Sequence, residues 1–342
     1  MFNDIAKFDT KNLFSIIKDS WKQADYGWNK NINLSISGQY SSVMISGLGG
    51  SAISGDLLRN FLQNKTKVAI AVNRNYTLPS WVDEKTLFIA SSYSGNTEET
   101  ISALKEAISR KCKIVVITTG GAIENLATEH GIDVVKLQEG FQPRYALYNS
   151  FFTLLRVFVS LNLAEISDDY VKSLVDMLKE CGEIYSREES LAFEIAKNLQ
   201  GSVPVIYTAA DCNDAAGRRF KGQLNENSKV HSWWMDYPEM NHNEIVGWET
   251  FSSSSINYKV VNILDKDIHP RVLNRFKIIN NLLSDQGVAI INIESNRSTF
   301  GERLLECVYL CDWISYYLAI LNKKDPGEID FIHHLKKKMS EV

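Results

Sequence analysis

Val43-Met44-Ile45-Ser46-Gly47-Leu48-Gly49-Gly50-Ser51-Ala52 decides the fold. Its first four residues read as an apolar strand, its glycines as a tight turn, and residues 53–63 as the helix that the turn opens. A strand that passes through a glycine-rich loop into a helix is the opening move of a parallel α/β sheet. The stretch fits G-x-G-x-x-G/A, the dinucleotide fingerprint, which also requires an acidic residue at the end of the next strand. Val72-Asn73-Arg74 stands there instead. Arg74 suits a 2′-phosphate, so an NADP-linked oxidoreductase remains a rival reading. A P-loop fails on the same stretch, because Asp56-Leu57 follows Gly55 where Lys-Ser/Thr is required. A tight turn without any ligand is the plain alternative.

Outward from this turn, short β-branched runs at 68–72, 87–90, 114–118 and 132–137 alternate with amphipathic stretches. Residues 145–200 read as mostly helical. The alternation then resumes, with strands at 203–207, 258–264 and 288–293 and helices at 214–225, 271–284, 301–321 and 328–339. This predicts an α/β fold of two tandem, doubly wound, flavodoxin-like domains, each a mainly parallel sheet flanked by helices, over 1–155 and 156–342. Only the first domain has a glycine-rich loop, so the expectation is a duplicated architecture with one phosphate site.

Ser92-Tyr93-Ser94-Gly95-Asn96-Thr97 lies at the end of the third strand and opens a helix. Helix N-termini offer free N–H groups and a positive dipole end, which suit a phosphate. N-capping by Thr97 accounts for one of the three Ser and Thr hydroxyls. Gly50, Ser51, Ser92, Ser94 and Thr97 are therefore the candidate phosphate-binding residues. Amides and hydroxyls grip a monoester phosphate without assisting phosphoryl transfer, so the phosphate is a handle and the chemistry lies elsewhere on the ligand.

Composition narrows the classes further. The chain has 342 residues, 44% hydrophobic and 23% charged, with a net charge of −4. This is ordinary globular composition with room for two domains, and no basic excess for nucleic acid. Five widely spaced cysteines make no disulfide framework, and Cys307 and Cys311 read as core packing on one helix. Residues 1–14 carry no signal-peptide core. The apolar runs 150–164 and 309–321 are short and interrupted by Arg156, Asn162 and Asp312. A cytoplasmic protein in a reducing compartment is expected.

Three more segments carry a resemblance: Gln142-Pro143-Arg144, Asn225-Glu226-Asn227 and Tyr237-Pro238-Glu239-Met240-Asn241-His242-Asn243-Glu244. With the glycine and serine loops and Leu335-Lys336, the chain resembles the bifunctional phosphoglucose/phosphomannose isomerases over essentially its whole length. These are enzymes built from two sugar isomerase (SIS) domains. The serine loops alone would also suit phosphosugar-binding regulators, and a non-catalytic sensor of this fold is the second rival.

The resemblance implies aldose–ketose isomerisation of a hexose 6-phosphate through a cis-enediol. That chemistry needs a base reaching two carbons, a cation for the enediolate and groups to open the sugar ring. Glu226 is the expected base, where the plain alternative is a solvated helix-end carboxylate. Arg144 is the expected enediolate partner, since a guanidinium stays charged. His242 suits ring opening, and in the family it comes from the partner subunit, which implies a homodimer with shared sites. Lys336 is the family's C-terminal lysine, although Lys336-Lys337-Lys338 also fits a plain helix end. Gly327 follows Asp325-Pro326 where relatives place a threonine nearby. His333 and His334 read as exposed helix residues. Nothing in this scheme requires a metal or other cofactor.

Overall fold

The computed structural model describes residues 2–253, 255–339 and 341. Three short helices come first: α1 (Phe2–Phe8), α2 (Leu13–Lys18) and α3 (Ser20–Trp28). Then follow β1 (Ser42–Ser46), α4 (Gly49–Leu62), β2 (Ala69–Asn73), β3 (Thr86–Ser92), α5 (Glu98–Ser109), β4 (Lys113–Thr118), α6 (Ala122–Glu129) and β5 (Asp133–Lys136). A 3-10 turn at Pro143–Tyr145 leads into α7 (Leu147–Ser160), and α8 (Asp168–Tyr185) and α9 (Leu191–Leu199) follow. The chain continues through β6 (Val203–Ala209), α10 (Asp214–Glu226) and β7 (Trp233–Tyr237) to two 3-10 segments, Glu239–His242 and Glu244–Ser253. Last come β8 (Tyr258–Ile263), α11 (Pro270–Asp285), β9 (Ala289–Ile293), α12 (Phe300–Leu321) and α13 (Asp330–Met339).

The chain forms two compact units, one of Asp19–Lys179 and one of Met1–Lys18 with Glu180–Val342. The division expected at 155/156 falls inside α7, whose Phe151 ring packs edge-on to Phe61 of α4 at 5.5 Å in the first unit. The observed division falls inside α8, and the N-terminal arm returns to the second unit. There Asp9 accepts from the Tyr316 hydroxyl at 2.9 Å, and Phe14 packs edge-on to Trp313 at 5.1 Å.

In the first unit the parallel strands run in the order β2-β1-β3-β4-β5. The central strands β1 and β3 are buried throughout, while β2 at the edge is only partly covered. Helices cover both faces, which explains runs such as SVMIS and TLFIASS with no alternation. The second unit repeats the order with one strand fewer, β7-β6-β8-β9, again all parallel.

The duplication extends to packing. Gly55 of α4 and Gly217 of α10 occupy equivalent contacts of helix on sheet. An added methyl would stand 3.1–3.2 Å from Ile45 and Val72 in one case and 2.5–2.6 Å from Trp234 and Thr208 in the other. Strand β7 has no counterpart among the expected strands. Its sequence WWMDY lies at a sheet edge and mixes aromatic with acidic residues, so it lacks the apolar run of a buried strand.

Helix α12, at 22 residues, is longer than the 309–321 run and long and apolar enough to cross a membrane, but it is the buried core helix of its unit. A capping box of Thr299 and Glu302 starts it. Asp312, the charge in its apolar second half, meets Arg219 of α10 at 2.9 Å through two contacts.

Candidate active site

In flavodoxin-like sheets ligands bind where the strand order reverses, beyond the carboxyl ends of the strands on either side. In the first unit that point lies between β1 and β3, so the glycine loop and the serine loop flank it. Gly47 permits their close approach: a methyl there would stand 2.6 Å from the Ser91 carbonyl. Ser51 Oγ, nearly buried, accepts from the Tyr93 N–H at 3.3 Å and ties the two loops together.

The hydroxyls divide their work. Ser92 is buried, and its Oγ pairs with Thr97 Oγ1 at 3.0 Å and accepts from the Gly95 N–H at 3.1 Å. Ser94 is exposed, its Oγ accepting from the Asn96 N–H at 3.4 Å. The expected capping by Thr97 is absent. Neither α5, with Thr97 at its N-cap, nor α4, with Leu48 there, has a side-chain cap. Both helices therefore keep first-turn N–H groups for an anion at the same switch point.

Arg144 joins this group through glycine. A methyl on Gly50 would stand 2.6 Å from the Pro143 carbonyl and 3.5 Å from Arg144 Cα, so only glycine lets the 143–145 turn rest on the first turn of α4. The Gln23 amide of α3 donates to the Tyr145 carbonyl at 2.9 Å and fixes the turn from behind. Arg144 itself is 5% exposed, its guanidinium 5.0 Å from the Tyr145 ring centre.

Glu226 belongs to the second unit, where it is the half-buried last residue of α10. The residues that follow it are fastened. Asn227 Nδ2 donates to Ser315 Oγ at 3.0 Å, Ser228 Oγ to the Ser315 carbonyl at 2.6 Å, and Lys229 Nζ to the Asn227 carbonyl at 3.2 Å and to that of Asp325. Upstream, Arg219 and Gln223 of α10 both hold Asp312. The carboxylate thus rides on a helix end with little freedom to shift.

His242 ends the 3-10 turn after β7 and is exposed on its own unit. Its neighbours are held: Arg275 donates to Asn241 Oδ1 at 3.3 Å and Asn243 to Glu239 at 2.8 Å. Glu244 accepts from the Tyr207 hydroxyl at 2.7 Å, so its part in the motif is to anchor the turn to β6. Burial first, and then Glu244, raise the Tyr207 pKa and keep it a donor. Lys336 lies on α13, whose described side chains are all exposed, as are His333 and His334. The fold thus brings Gly50, Ser51, Ser92, Ser94, Thr97 and Arg144 together in one unit. It sets Glu226, His242 and Lys336 on three separate elements of the other.

Some contributors were not anticipated. Gly95 (φ +68°) and Gly121 (φ +80°) interlock the serine loop with the loop after β4, where a methyl on Gly95 would stand 1.6 Å from the Gly120 carbonyl. Asn96 Oδ1 accepts from the Ala122 N–H at 3.0 Å across the same junction. The Gly120-Gly121 pair was the available signal. Arg74, kept for a 2′-phosphate, is ion-paired with Asp56, the residue that breaks the P-loop pattern, so the oxidoreductase reading loses its cation. Cys307 and Cys311 are buried core residues of α12. Among the described residues, no three His, Cys, Asp or Glu side chains cluster to hold a metal ion.

Comparison with known proteins agrees with this fold. Residues 38–160 match the SIS domain, and residues 188–339 match the bacterial phospho-glucose isomerase C-terminal SIS domain. A crystal structure of glucosamine-6-phosphate deaminase from Thermotoga maritima shares the fold, with a TM-score of 0.68, 14% identity, and coverage of 91% of this chain and 95% of that one. A D-glucosamine-6-phosphate 4-epimerase from Sulfolobus acidocaldarius is 31% identical over 75% of this chain and 84% of its own length. A bifunctional phosphoglucose/phosphomannose isomerase from Caldicellulosiruptor bescii is 39% identical over 94% of this chain and 96% of its own. With that identity across both domains, the chain belongs to the bifunctional phosphoglucose/phosphomannose isomerase family.

Proposed function

We propose that this aldose–ketose isomerase interconverts glucose 6-phosphate and mannose 6-phosphate with fructose 6-phosphate. The observation that carries the reading is the pair of helices without side-chain caps at the β1/β3 switch point, with the Arg144 turn packed on one of them. Ser51, Ser94 and the first-turn amides hold the 6-phosphate, and Ser92, Thr97 and Gly50 shape that seat. Glu226 takes the C2 proton of the open-chain aldose, and the electron pair moves onto the carbonyl oxygen to give the enediolate. Arg144 balances that charge, a proton passes from the C2 hydroxyl to the C1 oxygen, and the conjugate acid of Glu226 returns its proton to C1 as the C2 carbonyl forms. Because C2 is planar in the intermediate, glucose and mannose phosphates share it. His242 of a second copy of the chain opens the ring together with Lys336, which makes the working unit a homodimer. The exposure of His242 on its own unit supports that arrangement. A cytoplasmic location is part of the proposal. All five cysteines are free, and burial pushes Cys112 up to about 11 and Cys181 and Cys212 up to about 12, so all three stay as thiols.

Fructose 6-phosphate with EDTA, coupled separately to glucose 6-phosphate and mannose 6-phosphate detection, tests the reaction. Both products are expected. One product alone removes dual specificity, and neither removes the isomerase. The relative named as a 4-epimerase favours a second reading, for which D-glucosamine 6-phosphate is the substrate to assay alongside. Glu226→Gln should lower kcat by about 10³, the range of a lost general base; full activity would refute its role. Mixing Glu226→Gln with His242→Ala should restore about a quarter of wild-type activity if dimers exchange and share sites. No recovery despite proven exchange would argue for self-contained sites.

A further inference from the structure

Tyr93 stands between two candidate phosphate residues and reaches into a third loop. Its backbone belongs to the serine loop: the N–H donates to Ser51 Oγ at 3.3 Å, and the carbonyl accepts from Thr119 Oγ1 at 2.7 Å and the Thr119 N–H at 3.2 Å. Its side chain is 8% exposed and points the other way along the chain. The hydroxyl donates to the Gln138 carbonyl at 2.9 Å and accepts from the Phe141 N–H at 2.9 Å. Gln138–Gln142 joins β5 to the Pro143–Tyr145 turn without forming helix or strand, and Gly140 in it has φ +100°. Asn149 also donates to the Gln138 carbonyl, at 3.1 Å, but from α7. Tyr93 links this segment to the phosphate loops themselves.

We infer that Tyr93 is a positioning residue that holds the 138–144 segment, and with it Arg144, in register with the phosphate seat. The inference rests on the reading of Arg144 as the partner of the enediolate. A guanidinium displaced by about 1 Å from the developing charge loses much of its effect, while phosphate binding is untouched. A phenol packs as an aromatic ring and offers both a donor and an acceptor on the single oxygen at its tip. Burial, the leading influence on this hydroxyl, raises its pKa and so preserves the proton given to Gln138.

Tyr93→Phe in the full chain keeps the ring and removes both hydrogen bonds. Its kcat with fructose 6-phosphate should fall about tenfold. The KM and the inhibition constant for inorganic phosphate should stay within about twofold. Tyr93→Phe combined with Arg144→Ala should be no slower than Arg144→Ala alone, because both act through one group. Gly140→Ala strains the same segment without touching the phenol, and nothing lies within 4 Å of the added methyl. It should reproduce the loss of kcat, and it carries the test should Tyr93→Phe fail to fold. A wild-type kcat in Tyr93→Phe or in Gly140→Ala overturns the inference. So do multiplying effects in the double variant, or a phosphate constant that weakens in step with kcat. Arg144→Ala slow beside an unaffected Tyr93→Phe overturns this inference alone. Arg144→Ala at the wild-type rate overturns the role of Arg144 and this inference with it.

Discussion

At the switch point between β1 and β3, the loops offer glycines, hydroxyls and two helix N-termini without side-chain caps. The matching point of the second unit, between β6 and β8, is furnished with acids. Ala210-Asp211-Cys212-Asn213 replaces the glycine loop, and Leu264-Asp265-Lys266-Asp267 replaces the serine loop. Arg303, 1% exposed, fills that second point. It donates to Asp265 at 2.8 and 3.1 Å, to Asp267 at 2.7 Å, and to the carbonyls of Ser298 and Arg297 at 2.9 and 3.2 Å. Asn213 adds a bridge from β6 to β8, accepting from the Ala209 N–H and donating to the Ile263 carbonyl, both at 2.8 Å. One architecture thus carries uncapped helix N-termini and hydroxyls in one copy and an internal ion pair with surplus carboxylates in the other. A duplicated fold conserves the crevice, and loop chemistry decides whether an anion enters it.

The comparison breaks most visibly at Asp265. Asp265→Ala leaves the buried Arg303 charge with one of its two carboxylate partners and should cost about 3–5 kcal/mol. That lowers the midpoint of thermal unfolding by roughly 10 °C for a domain of this size. A change under about 1 kcal/mol would mean that the ion pair is not what closes the second crevice. At the first crevice, Ser51→Ala with Ser94→Ala should raise the KM for fructose 6-phosphate about 10–100-fold, the loss of two hydrogen bonds to a charged group. Asp267→Ala at the second crevice should leave KM within about twofold. Equal effects from the two crevices would dissolve the distinction.

The smallest effect concerns the surplus carboxylates. Burial first, then Asp214, Asp211 and Glu239, against the opposing Arg218, raise the Asp236 pKa above its ordinary 3.8. A carboxyl raised on folding contributes stability that is complete below its unfolded pKa and lost as pH rises through its folded pKa. Asp236→Asn should therefore raise the unfolding midpoint at pH 7, with the gain vanishing below about pH 3.5. A less stable variant at pH 7 would show that the cluster is not repulsive.

Much of this was readable in the chain. The buried strands of the first sheet announce themselves as apolar runs, and the two loops at β1 and β3 show their glycines and hydroxyls in the sequence itself. Strand β7 was not readable, since an edge strand of mixed polarity has no periodic signature. The domain division was hidden for a different reason. Leu13–Lys18 belongs to the second unit because Tyr309 donates to the carbonyl of Ile17 at 2.6 Å, a contact 292 residues away. Asp312 read as an interruption of an apolar run, yet it is the centre of the Arg219–Gln223 anchor on which the Glu226 helix rests.

What the sequence determined by itself is the repeated α/β plan and two loops whose donors suit a phosphate, while the resemblance of their segments to the isomerase family singled out Arg144, Glu226, His242 and Lys336 as candidates. Periodicity, turn chemistry and residue type are local properties, and the plan and the loops need nothing else. Tertiary structure alone decided that Gly50 seats the Arg144 turn, that Tyr93 spans two loops, and that Arg303 closes the second crevice. Each depends on groups distant in sequence meeting at hydrogen-bonding distance, which no local pattern encodes.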